Sequence, residues 1–248
     1  MDYNNKKVAL VTGSTGGIGS AICTKLCEEG YRVVGNYRSY EKALSLQISM
    51  SSMDYEIDLA EGDVTDFESV GNMVQKIEEE IGPIDVLINN AGITKDTRFS
   101  KMSKCDWDFV IDSDLTSVFN CTRHVINGMM ERRNGRIVNI SSINAQKGQF
   151  GQANYCAAKA GVHGFTKSLA LEMAKYGITV NTVSPGYIST EMVLAVPEKI
   201  REQIVAQIPV GRLGTIEEVA EAVCYLLSDR SSFVTGSNLC INGGQHMY

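Results

Sequence analysis

Seven short apolar runs, separated by longer segments of helical spacing, constrain this chain more than any other feature. Regular alternation of that kind is the mark of repeated βαβ units and a parallel sheet. The runs fall at 8–11, 32–35, 55–59, 86–88, 136–140, 179–183 and 238–241, and helical patterns occupy 18–29, 66–80, 104–130, 152–176 and 215–228. In the first helical segment Ile18, Ala21, Ile22 and Leu26 repeat on one face, and Gly30 is placed to stop it. Asp66 is an expected cap for the second, and Thr215 with Glu218 spells a capping box before the last. The predicted fold is α/β, a parallel sheet for which seven strands are available. Four prolines and the lack of a Gly/Ser/Pro linker point to one domain over 1–248. The stretch 191–214 is too long for a minimal connection and is expected to be a mobile substrate lid.

Composition removes several function classes. Apolar residues make up 44% and charged residues 21% of 248 residues, ordinary globular usage. With 23 Lys plus Arg against 29 Asp plus Glu, the net charge of −6 leaves no broad cationic surface for nucleic acid. An anionic ligand must be met locally. The stretch 1–7 is polar and no 18-residue apolar run occurs, so the expectation is a cytoplasmic protein with neither secretory signal nor membrane span. Seven scattered cysteines without a C-x-x-C pair read as reduced thiols, and His124, His163 and His246 lie too far apart to suggest a metal site.

The first strand runs into Thr12-Gly13-Ser14-Thr15-Gly16-Gly17-Ile18-Gly19, with Gly13, Gly17 and Gly19 in G-x-x-x-G-x-G spacing. A strand, a tight glycine turn and a helix start bring backbone N–H groups and a partial positive charge to a pyrophosphate. Alone, such a turn is as often a bare turn; its place as the first βα connection favours a dinucleotide. An acidic residue after the second strand would hold an unphosphorylated ribose, but the stretch reads Gly35-Asn36-Tyr37-Arg38. Arg38 suits a 2′-phosphate, so NADPH is expected over NADH; the competing reading is a solvated loop cation. Asp63 and Val64 after the third run, and Asn89, Asn90, Ala91 and Gly92 after the fourth, lie at the strand ends where open α/β sheets bind ligands. The two asparagines serve equally well as ties between loops.

The sharpest constellation is Ser142, Tyr155 and Lys159. Tyr155 and Lys159 are spaced i, i+4 on one helix and share a face. A free phenol ionises near pH 10, and a nearby ammonium is expected to lower that value toward the working range. Ser142 ends the fifth strand at the edge that carries the glycine turn. The trio suits hydride chemistry on a carbonyl: serine polarises the oxygen, tyrosine protonates it, and lysine tunes the phenol and reaches a ribose.

On these residues the chain resembles the short-chain dehydrogenase/reductase family along nearly its whole length. Thr12 to Gly19, Asn89 to Gly92, Ser142, Tyr155 with Lys159, and Pro185-Gly186 occur in the family's order. The resemblance implies a doubly wound (Rossmann) seven-stranded parallel sheet with helices on both faces, Tyr155 as acid/base and a homotetramer built through the long helices and last strand. It also implies an NADP site of Gly13, Ser14, Thr15, Gly17, Ile18, Gly19, Arg38, Asp63, Val64, Asn90, Ala91, Gly92, Tyr155, Lys159, Pro185, Gly186 and Ile188. The runs Gly92-Ile93-Thr94-Lys95-Asp96, Asp106-Trp107-Asp108, Gln146 to Gln152 and Ser184-Pro185-Gly186-Tyr187 are similar to the branch that reduces acetoacetyl-CoA. That likeness implies (R)-3-hydroxybutanoyl-CoA as product and Asp96, Gln149, Phe150, Gln152 and Tyr187 as substrate contacts. The alternatives are a 3-oxoacyl-acyl-carrier-protein reductase and, more remotely, a weakly active cofactor-binding scaffold.

The chain departs from the family pattern at two places. The family's Asn-Leu-(Thr/Ser)-Ser segment reads Asp114-Leu115-Thr116-Ser117, and the family asparagine is assigned a water held against the lysine through its backbone carbonyl. Aspartate at this catalytic position keeps the carbonyl but loses the amide donors and adds a charge that opposes phenolate; reduced turnover is expected. Tyr176 stands where carrier-protein reductases commonly carry arginine, although Arg133 remains at the other implied contact. Lys95, Arg98, Lys101 and Lys104 are expected near the pocket mouth, either to meet CoA phosphates or as an ordinary solvated face.

Overall fold

A computed structural model describes residues 6–247, except the side chain of Met192; positions 1–5 of the polar amino-terminal stretch lie outside it. The strands are β1 Val8–Val11, β2 Arg32–Tyr37, β3 Asp58–Glu61, β4 Ile84–Asn89, β5 Gly135–Ile140, β6 Ile178–Pro185 and β7 Asn238–Ile241. All pair in parallel in the order β3-β2-β1-β4-β5-β6-β7. The order reverses between β1 and β4, which opens a crevice at their carboxyl ends where ligands of such sheets bind.

The helices are α1 Gly17–Glu28, α2 Tyr40–Ser51, α3 Phe67–Glu80, α4 Lys104–Ile111, α5 Ser117–Arg132, α6 Asn144–Lys147, α7 Ala153–Met173, α8 Glu191–Leu194, α9 Glu198–Val205 and α10 Ile216–Leu227. Two apolar clusters flank the sheet. One joins Ile22 and Leu26 of α1, Leu46 and Met50 of α2, and Val223 and Leu226 of α10 to the strands; the other gathers Val70, Val74 and Ile77 of α3 with Val125 and Met129 of α5 and Met173 of α7. The expected caps are in place. Asp66 accepts from the Ser69 N–H, and Thr215 with Glu218 forms the reciprocal box, each satisfying amide donors that a helix start leaves open. Gly30 takes φ +86° just past α1, a conformation its missing Cβ permits.

Three expectations need correction. The third strand is Asp58–Glu61 and not 55–59, because β2 continues to Tyr37 and its register begins with Val34 opposite Asp58. Helix α2 was not expected, since its buried stripe is only Ala43, Leu46 and Met50 in a polar segment. The single helix expected over 104–130 is two, joined by a π-helical turn, Asp112–Thr116. Turns of this kind recur at functional sites because the extra residue re-aims side chains.

The 191–214 segment carries α8 and α9, and its Ile208 is buried. The Val210 N–H donates to the Gly243 carbonyl just past β7, and the Ser189 N–H donates to the Gly214 carbonyl, which clamps the two ends of the segment together. Among the described residues no helix is long and apolar enough to cross a membrane. All seven cysteines are free thiols.

Candidate active site

The glycine turn is held by its own framework. Thr12 Oγ1 donates to the Ile88 carbonyl and accepts from the N–H groups of Asn90 and Ala91, at 3.0 and 3.1 Å. The Asn90 amide donates to the carbonyls of Thr12 and Gly13, and the Ser14 hydroxyl to that of Asn36. Gly19 is required by space, because a Cβ there would lie 2.3 Å from the Gly13 oxygen. Gly13 takes φ +61° against the backbone of Ala91. No side chain caps α1 and no acidic residue stands in its first turn, so its open N–H groups face the crevice edge without an internal anion.

Arg38 and Asp63 meet at the ends of β2 and β3, 4.0 Å apart and both exposed to solvent. Burial works against the Asp63 charge, but hydrogen bonds from Thr65 and the Arg38 cation outweigh it and hold the carboxyl below the usual range. Val64 is buried, and its carbonyl accepts from Asn120. Asn89 turns inward, bonding Thr122 and Asn139; Asn139 lies opposite it in the β4–β5 register. Of its two sequence readings, the tie between elements is the one the contacts support.

Ser142, at the carboxyl end of β5, and Tyr155 and Lys159, on α7, converge beside this crevice. The Ser142 hydroxyl accepts from the Asn144 N–H and stands close enough to the Tyr155 phenol to favour its ionised form. Lys159 Nζ lies 5.7 Å from the Tyr155 ring centre and donates to the Ile140 carbonyl at 3.0 Å. The π-helical turn swings Asp114 inward, where its Oδ2 sits 3.3 Å from Lys159 Nζ; the two side chains are 0% and 5% exposed. Asp114 Oδ1 accepts from the Ile93 N–H at 2.8 Å.

This pairing changes the expected electrostatics. Burial pushes the Tyr155 phenol above its ordinary value; Lys159 and the Ser142 hydroxyl pull it down, but Asp114 pushes the same way as burial and the balance stays upward. Lys159 thus acts on the phenol in the expected direction, but burial and the Asp114 carboxylate outweigh it. Lys159 itself is disfavoured by burial, yet Asp114 and Tyr155 more than restore it and hold it as ammonium. Asp114 is raised by burial, against the opposing pull of Lys159 and the Ile93 N–H.

Residues 13–246 match the family model described as enoyl-(acyl carrier protein) reductase. The chain belongs to the short-chain dehydrogenase/reductases. It is similar to the acetoacetyl-CoA reductase of Cupriavidus necator, 52% identical over 98% of this chain and 99% of that one. The 3-oxoacyl-acyl-carrier-protein reductase of Escherichia coli is 44% identical over 97% and 98%. Among solved structures, an actinorhodin polyketide ketoreductase variant with NADPH superposes with a TM-score of 0.95 at 37% identity, covering all of both chains.

The other residues expected at this short-chain reductase's site fall into two groups. Gln152 is buried; its amide donates to both Asp96 carboxylate oxygens at 2.9 and 3.0 Å and its carbonyl accepts from Asn144, so the pair braces the loop after β4 against α7. Gln149 and Phe150 instead line a cavity of about 550 Å³ with Arg98, Phe99 and Cys156. Phe150 is 79% exposed beneath the Arg98 guanidinium, 5.5 Å from its ring centre. Tyr187 is half-buried on a second cavity of about 460 Å³, shared with Ile208, Val210 and Arg212. Pro185, Gly186 and the buried Ile188 carry the chain across the sheet's carboxyl edge, and the Pro185 carbonyl accepts from the Ile143 N–H. Of the mouth cations, Lys104 is paired with Asp108 on its own helix, Arg98 lines the first cavity, and Lys95 and Lys101 are exposed.

Sequence reasoning did not single out Asn154 or Ser141. Asn154 is fully buried at the start of α7, donating to the carbonyls of Lys95 and Asp106 and accepting from the Tyr155 N–H. Ser141 Oγ donates to the Lys159 carbonyl. Their place beside Ser142 and Tyr155 was the available signal; their partners lie far off in sequence.

Proposed function

We propose that this protein is an NADPH-dependent reductase of short 3-oxoacyl thioesters that converts acetoacetyl-CoA to (R)-3-hydroxybutanoyl-CoA. The observation that carries the reading is the Lys159 ammonium 5.7 Å from the Tyr155 ring centre, one helical turn behind it, with Ser142 beside the phenol at the switch-point crevice. The cofactor residues suit a dinucleotide. The uncapped start of α1 provides donors for a pyrophosphate, and Arg38 provides a cation for a 2′-phosphate. Gly13, Ser14, Thr15, Gly17, Ile18 and Gly19 would hold the phosphates, Arg38, Asp63 and Val64 the adenosine part, and Asn90, Ala91, Gly92, Tyr155, Lys159, Pro185, Gly186 and Ile188 the nicotinamide end.

When bound, the dihydronicotinamide supplies a hydride to the ketone carbon. Ser142 donates a hydrogen bond to the ketone oxygen, and Tyr155 gives that oxygen its proton. Lys159 offsets the charge left on the phenolate. The catalytic and tuning roles of Ser142, Tyr155, Lys159 and Asp114, and of Asp96, Gln149, Phe150, Gln152 and Tyr187 around the acyl chain, belong to this proposal.

The acetoacetyl-CoA relative at 52% identity supports the substrate, and the (R) configuration rests on the family likeness. Arg133 supports CoA over a carrier protein. Its guanidinium lies 5.9 Å from the Tyr176 ring centre and donates to the Lys175 carbonyl, so it is folded against its own chain. The carrier-protein reductase remains the second reading, supported by the 44% relative. The proposal extends to a single domain in which 191–214 closes over the substrate. It includes a homotetramer, for which the exposed Phe119 of α5, Leu171 of α7 and Phe233 are the apolar support. Side-by-side kcat/KM for acetoacetyl-CoA and a 3-oxoacyl carrier thioester tests the substrate. At least a tenfold preference for the CoA thioester is expected, and a preference for the carrier would overturn the choice.

A further inference from the structure

Asp114 is a buried carboxylate beside the lysine, and the reductase reading assigns it a role without saying which way it acts. Asp114 comes from the π-helical turn and meets Lys159 in a space kept open by Gly92. A Cβ on Gly92 would fall 2.9 Å from Asp114 Oδ2 and 3.0 Å from Lys159 Nζ. Oδ1 is engaged by the Ile93 N–H, whereas Oδ2 has no aligned hydrogen-bond donor and faces the ammonium at 3.3 Å. The ammonium is thereby held between Oδ2 and the Ile140 carbonyl.

We propose that Asp114 is a positioning residue that locks the Lys159 ammonium through a buried carboxylate and so keeps the proton on Tyr155 to higher pH, widening the range over which the phenol serves as the acid in ketone reduction. The inference rests on the reductase reading. The groups that face the phenol are Lys159 and Cys156 from α7, Asp114 from the turn, and Ser142 from the end of β5. Lys159 alone favours phenolate; the Asp114 charge cancels part of that pull and adds a negative neighbour that phenolate must tolerate. Reduction consumes the phenol proton: the hydride adds to the carbonyl carbon, the O–H bond forms at the ketone oxygen, and phenolate is left to be reprotonated. Oxidation starts from phenolate and runs the same steps backwards. A group that favours the phenol therefore extends reduction to higher pH and delays the onset of oxidation.

The test is Asp114→Asn, which keeps an oxygen for the Ile93 N–H but removes the charge. The kcat/KM-against-pH profile for acetoacetyl-CoA reduction is expected to lose its alkaline limb at a pH lower by about one unit, the order of one charge acting across several ångströms of protein. The onset of oxidation should move to lower pH in the same way. Independently of turnover, tyrosinate absorbance is titrated in the cofactor-free protein and in Asp114→Asn, each corrected by its Tyr155→Phe counterpart. The Tyr155 component should appear at lower pH in the variant. Asp114→Ser, also neutral, should shift it alike. Superimposable titrations, or a shift to higher pH, would overturn the role of Asp114. Failure to turn over acetoacetyl-CoA with the titration shift intact would instead count against the substrate reading alone.

Discussion

The edge formed by β1, β2 and β4 and the mouth formed by 95–101 and 147–151 treat their polar side chains in opposite ways. At the edge, Thr12, Ser14 and Asn90 spend their side chains on the protein's own backbone. What faces outward there is mostly main chain at the start of α1. At the mouth, Arg98, Gln149 and Phe150 are exposed side chains around a cavity. A site that reads a ligand through its backbone needs one fixed shape and tolerates little change in its glycines. A site that reads through exposed side chains can alter its preference one residue at a time.

Between the two regions stands Tyr155, and removing its hydroxyl tests both at once. Tyr155→Phe should lower reductive turnover by roughly 10²- to 10⁴-fold, the usual worth of a positioned general acid, while binding of NADPH followed by fluorescence is preserved. A variant that kept its turnover would break the assignment of the acid.

Arg38 is the exception at the backbone-built edge, an exposed side chain that the proposed function assigns to the 2′-phosphate. Arg38→Ala should reduce the preference for NADPH over NADH by about 10- to 100-fold, as expected for one charge-assisted contact, with kcat at saturating NADPH little changed. An unaltered preference in kcat/KM would place the discrimination in the backbone as well.

The smallest effect is expected at the mouth. Phe150→Ala should raise KM for the thioester by about 3- to 10-fold, consistent with part of an aromatic contact area, and leave kcat near its starting value. A fall in kcat with unchanged KM would mean that the exposed ring acts on the reacting centre, and the contrast between the regions would weaken.

The parallel sheet was legible because each apolar run is short and bounded by turn residues. The Asp66 and Thr215 caps were legible because capping depends on residues only three apart. Helix α2 was not, since three buried residues among Ser, Gln and Lys give a stripe too thin to separate from a loop. The two-helix character of 104–130 was hidden for a different reason. Asp112 to Thr116 has no proline or glycine to mark a break, and the π-helical turn is stabilised by what it delivers, the Asp114 contacts with Lys159 and Ile93.

The amino-acid order by itself determined the glycine turn, the i, i+4 spacing of Tyr155 and Lys159, and the placing of Ser142 at a strand end, because each depends on neighbours along the chain. Only the folded protein decided which way the Tyr155 proton is favoured. That balance sums burial, an ammonium and a carboxylate brought in from a separate turn, and their strengths depend on distance and on exclusion from water.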